Sequence, residues 1–267
     1  MGQDDLQIST QRLAGALKGI PGRHPVKECA IAFSGGLDSS LIAHIMKPHS
    51  RVTLYTVGIA GSMDIVHAPK AAGMMGIGEA HRAVIITIDD LLDAIPQVVS
   101  IIGTEEPVLV SFMLPLYFVA KTCSEEELFT GQGADELFAG YARYTRMDPQ
   151  TLENALANDL EVVLRMGLER EQAIAAFFGK TIHCPYMDKD VVLAVRDLPV
   201  LQKITNDGRR KAILRDAAHL LGLPEEISER DKKAAQYSSG IIKVLKAAAK
   251  AHGTDIKEMI SSLTRSS

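Results

Sequence analysis

At 267 residues, with 46% hydrophobic and 23% charged side chains, the chain is long enough to bury a substantial core as one large domain or two closely packed lobes. A formal net charge of −4 excludes a general electrostatic footprint for nucleic acid, although it leaves room for a local basic patch. Cys29, Cys123 and Cys184 are far apart and form no C-x-x-C, which excludes a disulfide framework and a zinc knuckle. They read as reduced, mostly buried thiols, and with no secretory pattern and no long apolar span the expectation is a cytoplasmic protein that does not enter a membrane.

In chain order, Leu6, Leu13, Ala14 and Leu17 recur at helical spacing over residues 4–18, and Ile20-Pro21-Gly22 stops that helix. Residues 26–33 form a first predicted strand and 51–57 a second, ending at Gly58. A helix follows over 62–75 with Ser62 as its cap; the Gly-Met-Met-Gly-Ile-Gly run at 73–78 is its end, not a dinucleotide fingerprint. Residues 83–88 give a third strand. Asp89-Asp90 begin a helix carrying Leu91, Leu92, Ile95, Val98 and Val99, and after Pro107 another helix runs to about Cys123. Residues 127–130 form a fourth, short strand. Strands alternating with helices predict an α/β fold with a parallel doubly wound sheet, whose ligands sit beyond the carboxyl ends of the strands.

From about residue 142 the chain reads as mostly helical, with Leu160/Val163/Leu164 and Ile174/Phe177/Phe178 as packing faces. The whole is expected to be one domain: a nucleotide-binding core to about 141 and a helical C-terminal part that completes the site. Thr254-Asp255-x-x-Glu258 caps a last amphipathic helix with Ile256, Met259, Ile260 and Leu263, which either covers the core or pairs two copies as a homodimer. His44, His67, His81 and His183 show no metal spacing and are read as structural or exposed.

Two strand ends carry chemistry. The first, Phe33-Ser34-Gly35-Gly36-Leu37-Asp38-Ser39-Ser40, is a strand, a glycine turn and a helix start, the geometry in which backbone N–H groups converge on an anion. Gly35 and Gly36 leave room for a phosphate, and Ser34, Ser39 and Ser40 add hydroxyl donors. Asp38 would repel a bare phosphate, so it argues for a bridging divalent cation, Mg2+ above all. The second, Thr130-Gly131-Gln132-Gly133-Ala134-Asp135-Glu136, again delivers a carboxylate, Asp135, after small residues. Asp38 and Asp135 together could hold magnesium against phosphates, with Gly131 letting a nucleotide lie close to the backbone. Taken singly, each loop is equally a cap or a glycine-rich connector; the pair, in this order, favours the functional reading.

S-G-G-L-D-S lacks the lysine of a Walker loop and resembles the pyrophosphate loop of the ATP pyrophosphatase superfamily. With G-x-G-A-D-E-L-F-x-G-Y following, the chain resembles the synthetase domain of asparagine synthetase over about residues 28–240. Tyr55-Thr56-Val57-Gly58, Cys184-Pro185-Tyr186-Met187-Asp188, Gly208-Arg209-Arg210-Lys211-Ala212-Ile213-Leu214-Arg215 and Arg230-Asp231-Lys232-Lys233 through Gly240 match further segments in order. The resemblance implies an adenine nucleotide alpha-hydrolase-like fold and an AMP-forming ligase using ATP and Mg2+. A carboxylate such as aspartate would be activated as an acyl-adenylate with release of pyrophosphate, then transferred to ammonia or an amine. It also implies that Val57 contacts adenine and that Lys232 stabilises the adenylation step, with Lys233 as the weaker candidate for that role. Lys211 is either a third phosphate contact or, by default, a solvated helix residue.

Two departures shape these expectations. Nothing ahead of the first loop resembles an amidotransferase domain, and Cys29 lies inside a strand, so the nitrogen is expected from free ammonia, a separate glutaminase or another nucleophile. Gln132 stands where the family carries a glutamate proposed to deprotonate ammonium; Glu136 or Glu105/Glu106 are the candidate substitutes, and a different acceptor is the alternative. The competing readings are a relative that adenylates another acid or an RNA carbonyl, and a non-catalytic ATP-binding subunit that partners a separate glutaminase.

Overall fold

The computed structural model describes residues 3–230 and 238–265. Its frame is a parallel sheet of β1 (Glu28–Ala32), β2 (Arg51–Ile59), β3 (His81–Ile86), β4 (Glu127–Phe129) and β5 (Thr181–His183), in the order β3-β2-β1-β4-β5. The order reverses at β1, so the chain turns outward in both directions from the β1/β4 pair. That is the doubly wound arrangement expected from the alternation of elements.

Successive side chains of a strand point to opposite faces, and here both faces are covered. Cys29 and Ile31 of β1, Leu54 of β2 and Phe129 of β4 join Leu13, Leu41, Val191 and Ile213 on one side. Ala30, Tyr55 and Leu128 join Leu91, Ile95, Leu114 and Ile260 on the other. The helices Leu37–Met46, Lys189–Val195 and Ala212–Leu220 therefore cover one face, and Ile88–Ile102, Pro107–Thr122, Ile241–Ala251 and Ile256–Arg265 the other. A smaller cluster of Tyr144, Leu152, Leu156, Val200 and Ile204 lies in the helical part.

Three sequence expectations are adjusted. β5 lies in the part read as helical: it is three residues long, too short to show an alternating pattern, and pairs with β4. β3 ends at Ile86 because Thr87 and Asp90 form a reciprocal capping box, which starts the next helix one residue early. Ser62 stands at a helix N-cap, but its side chain makes no capping bond.

The last helix covers the core, since Met259 and Ile260 are buried within the second cluster. Asp255 accepts from the Glu258 N–H at 2.9 Å and so supplies the expected cap. The apolar helices Ile88–Ile102 and Pro107–Thr122 bend by 105° where they meet, and no single helix among the described residues is long and apolar enough to cross a membrane.

Candidate active site

The loops after β1 and β4 meet at the point where strand order reverses and open a cleft of about 870 Å³, which is ligand-sized. After β1 the chain passes through Ser34 and Gly35 (φ +67) into a helix whose N-cap, Gly36, leaves the first-turn N–H groups without a side-chain cap. The Ser34 N–H donates to Ser39 Oγ at 3.1 Å and the two hydroxyls lie 3.2 Å apart, so the loop is braced from within. Ser34, Asp38 and Ser39 line the cleft, as do Val57, Gly131, Gln132 and Asp135.

Not every expected contact reaches that space. Ser40 is fully buried on the protein side of the first helical turn, and its Oγ finds no hydrogen-bond partner. A Cβ on Gly35 would stand 2.8 Å from the Ala68 Cα, so this glycine admits the neighbouring helix Met63–Met74. A Cβ on Gly131 would come within 3.2 Å of the Asp38 Cβ, so its absence lets the two loops close up.

The loops converge on one buried cation. Lys211 Nζ lies 2.7 Å from Asp38 Oδ1 and 2.7 Å from Asp135 Oδ1. Its side chain is only 9% exposed, which overturns the default of a solvated helix residue. Burial alone would lower its pKa, but Asp135 and Asp38 outweigh burial and hold it above the ordinary lysine value. Lys211 sits in a left-handed backbone conformation at a helix N-cap, where it reaches back across the cleft floor. Gly140 is required beside it, because a Cβ there would run into the Asp135 carboxylate and the Lys211 chain. Tyr186 is fully buried, and its hydroxyl donates to the Asp38 carbonyl at 2.9 Å, so the Pro185-Tyr186 segment holds the first loop.

Glu136 and Glu171 also line the cleft, as do Asp64 and Asp159. Glu136 is buried, and burial pushes its carboxyl up against the opposing hydrogen bond from the Tyr141 hydroxyl at 2.5 Å. Glu171, absent from the sequence reading, is pushed up to about 7 by burial, although Thr130 donates to it at 2.8 Å and Cys184 at 3.6 Å. Gln132 borders the same region: a Cβ on Gly167, in the π-helical turn Val163–Gly167, would stand 2.9 Å from its Nε2.

The other proposed substitutes lie elsewhere. Glu105 accepts from Thr264 at 2.8 Å in the last helix, and Glu106 caps the helix Pro107–Thr122 through the Leu109 N–H at 2.7 Å. Neither lines the cleft. Nothing local marks Glu171 in Glu169-Arg170-Glu171-Gln172, which reads as a solvated face. Nor does anything local distinguish Lys211 from the basic residues before it.

Lys232 lies outside the described residues, as does Lys233. The flanking chain does reach the site: Arg230 donates to the Gly35 carbonyl at 3.4 Å, and both Arg230 and Ser239 line the cleft. Cys29 is buried in β1 with its thiol pushed up to about 12, chiefly by burial, which keeps it protonated and out of reach.

The donor chemistry fits magnesium. Two hard carboxylate oxygens from separate loops already share one cationic partner, and magnesium commonly takes one or two carboxylates and completes its shell with phosphates and water. Among the described residues there is no group of three or more His, Cys, Asp or Glu side chains that would hold a metal without such help.

The reversal of strand order at β1 and the paired loops define a doubly wound α/β domain with its crevice at the topological switch point. A sequence profile of the asparagine synthase family matches residues 26–150 and 145–256, and the chain belongs to that family. It is 29% identical to a putative asparagine synthetase (glutamine-hydrolyzing) 1 of Methanocaldococcus jannaschii, over 86% of this chain and 49% of the relative. It is 28% identical to asparagine synthetase (glutamine-hydrolyzing) of Gallus gallus, over 80% of this chain and 40% of that one. With asparagine synthetase B (glutamine-hydrolyzing) of Escherichia coli (strain K12) the identity is 26%, over 79% and 41%. The chain thus spans less than half the length of these curated relatives.

Proposed function

We propose that this chain is an ATP-dependent, AMP-forming carbon–nitrogen ligase that activates a small carboxylate, with aspartate as the candidate acid. Family membership supports the ligase class. The observation that carries the reading is the convergence of Asp38 and Asp135, from the ends of β1 and β4, on one cation position at the switch point.

In this reading a carboxylate oxygen attacks the α-phosphorus of ATP, the bond to the β-phosphate oxygen breaks, and pyrophosphate leaves. A nitrogen nucleophile then attacks the acyl carbon of the adenylate, AMP leaves, and one proton passes from nitrogen to a base. Magnesium, held by Asp38 and Asp135, would supply charge neutralisation for the departing pyrophosphate. The uncapped first-turn N–H groups behind Gly36 and the Ser34 and Ser39 hydroxyls offer donors to phosphate oxygens. Val57 shares the apolar wall of the cleft with Phe112, Met113 and Leu116, a surface suited to adenine. Lys232 is assigned the stabilisation of adenylation on family resemblance.

Gln132 is no base near neutral pH, whereas Glu171 lines the same cleft and burial pushes its carboxyl up to about 7, which suits it to accept the nitrogen's proton. Ammonia, free or delivered by a glutaminase, is the nitrogen source in this reading.

The test is to incubate the protein with magnesium-ATP, ammonium and a panel of carboxylic acids, and to identify products by mass spectrometry. AMP, pyrophosphate and an amide are expected, with aspartate among the accepted acids. ADP with phosphate, or no turnover with any acid, overturns the reading. Asp38→Asn and Asp135→Asn should each lower turnover by at least about a hundredfold, the scale seen when a single transition-state charge contact is lost.

A further inference from the structure

The Lys211 ammonium already holds the two oxygens that a divalent cation would take. Asp38 Oδ1 and Asp135 Oδ1 each lie 2.7 Å from Lys211 Nζ, while magnesium would sit about 2.0–2.1 Å from such oxygens. A cation bound to both oxygens would press against the ammonium, and two positive charges at contact distance repel. We propose that Lys211 is an exchangeable occupant of the magnesium position. It neutralises Asp38 and Asp135 while the site is unloaded and yields them when metal-nucleotide arrives. This rests on the ligase reading for the identity of the incoming cation, but not for the competition itself.

Three features make Lys211 suited to exchange. Its backbone is anchored: the neighbouring Arg210 donates to the Gly140 carbonyl at 2.7 Å, and Arg215 Nε donates to the Arg210 carbonyl at 2.8 Å. The side chain can therefore swing while the main chain stays in place. The gap left by Gly140 is the channel in which its Cε runs, so the stem has a defined path. Lys211 also lines the cleft, so an ammonium released from the two aspartates stays beside any anion bound there. Lys211 also sets a positive charge between two acidic loops that approach each other, which offsets the repulsion between their carboxylates. It also makes cation affinity depend on nucleotide, because phosphate oxygens offer the displaced ammonium a new partner.

The probe is Mn2+ alone, without nucleotide, with free ion counted by electron paramagnetic resonance. Wild-type protein is expected to bind it weakly, and Lys211→Met at least about tenfold more tightly, within the usual range of coupling between ligands. Lys211→Arg keeps the charge and should bind like wild type. Lys211→Met with Asp135→Asn should lose the gain.

Lys211→Met should also melt at a lower temperature than wild type in chelator and recover when Mn2+ is added. Equal affinity in Lys211→Met and wild type overturns the proposal, because a merely structural lysine would lower stability without creating a metal site. A variant that stays unfolded at saturating Mn2+ overturns it as well. Tighter Mn2+ binding in Lys211→Met while wild type forms no AMP from ATP would refute the ligase reading and leave the exchange standing.

Discussion

At the scale of single residues, the site is set by burial as much as by charge. Asp38 and Asp135 are legible as a pair because each follows a strand and a run of small residues. Lys211 and Glu171 are not, because their sequence surroundings are those of solvated helices and only the fold removes them from water. Glu171 gives the sharpest kinetic expectation. As a base it must be ionised, so the rate of amide formation should rise with pH through about 7. Glu171→Gln should lower kcat by roughly 10²–10⁴ and remove that limb of the profile; an unchanged limb assigns the proton to another group. The same shift has a stability consequence of definite sign. The folded-state pKa lies above the unfolded one, so the contribution is complete below the ordinary glutamate value near 4.5 and is lost as pH rises through about 7. Urea titrations across that window should show wild type losing up to a few kcal/mol relative to Glu171→Gln.

At the scale of elements, the loops work because helices and strands behind them leave no slack. Gly35 has a left-handed backbone and faces the Ala68 backbone at a distance no Cβ tolerates. Gly35→Ala should therefore cost about 1–3 kcal/mol and lower Tm by about 2–4 °C for each kcal/mol lost. Gly15 is the control: it lies on the exposed face of the first helix with nothing within 4 Å of a Cβ, and Gly15→Ala should stabilise by up to about 1 kcal/mol. A thermal melt of the two variants separates a glycine demanded by packing from one that is merely tolerated. β5 shows the limit of pattern reading at this scale. Thr181-Ile182-His183 is a strand because β4 offers it an open edge, and it then presents His183 to Glu127 at 2.6 Å and to the Phe129 ring at 4.6 Å.

At the scale of the whole molecule, the C-terminal helix belongs to the core. Ile260 is fully buried among residues from the helices at 88–102 and 107–122. Ile260→Ala should destabilise by about 2–5 kcal/mol in urea unfolding. A near-zero effect, with a change of molecular mass by sedimentation, would place this helix between copies of the chain. The helical part also contributes walls to the cleft. Lys211, Tyr186, Glu171 and Gly167 all come from beyond residue 141, and each touches a group from the first half.

The doubly wound architecture, the meeting of two loops at one cleft and the family were legible in the sequence, because strand–helix alternation and glycine-flanked carboxylates are local patterns that neighbouring residues enforce. Tertiary structure alone decided that a lysine more than seventy residues from either loop region lies between the two aspartates, and that a glutamate in a charged helix turn is buried against Thr130 in the cleft that Gln132 lines. Those outcomes depend on which surfaces lose water when distant segments pack. Desolvation is a property of the assembled fold, and no short window of residues records it.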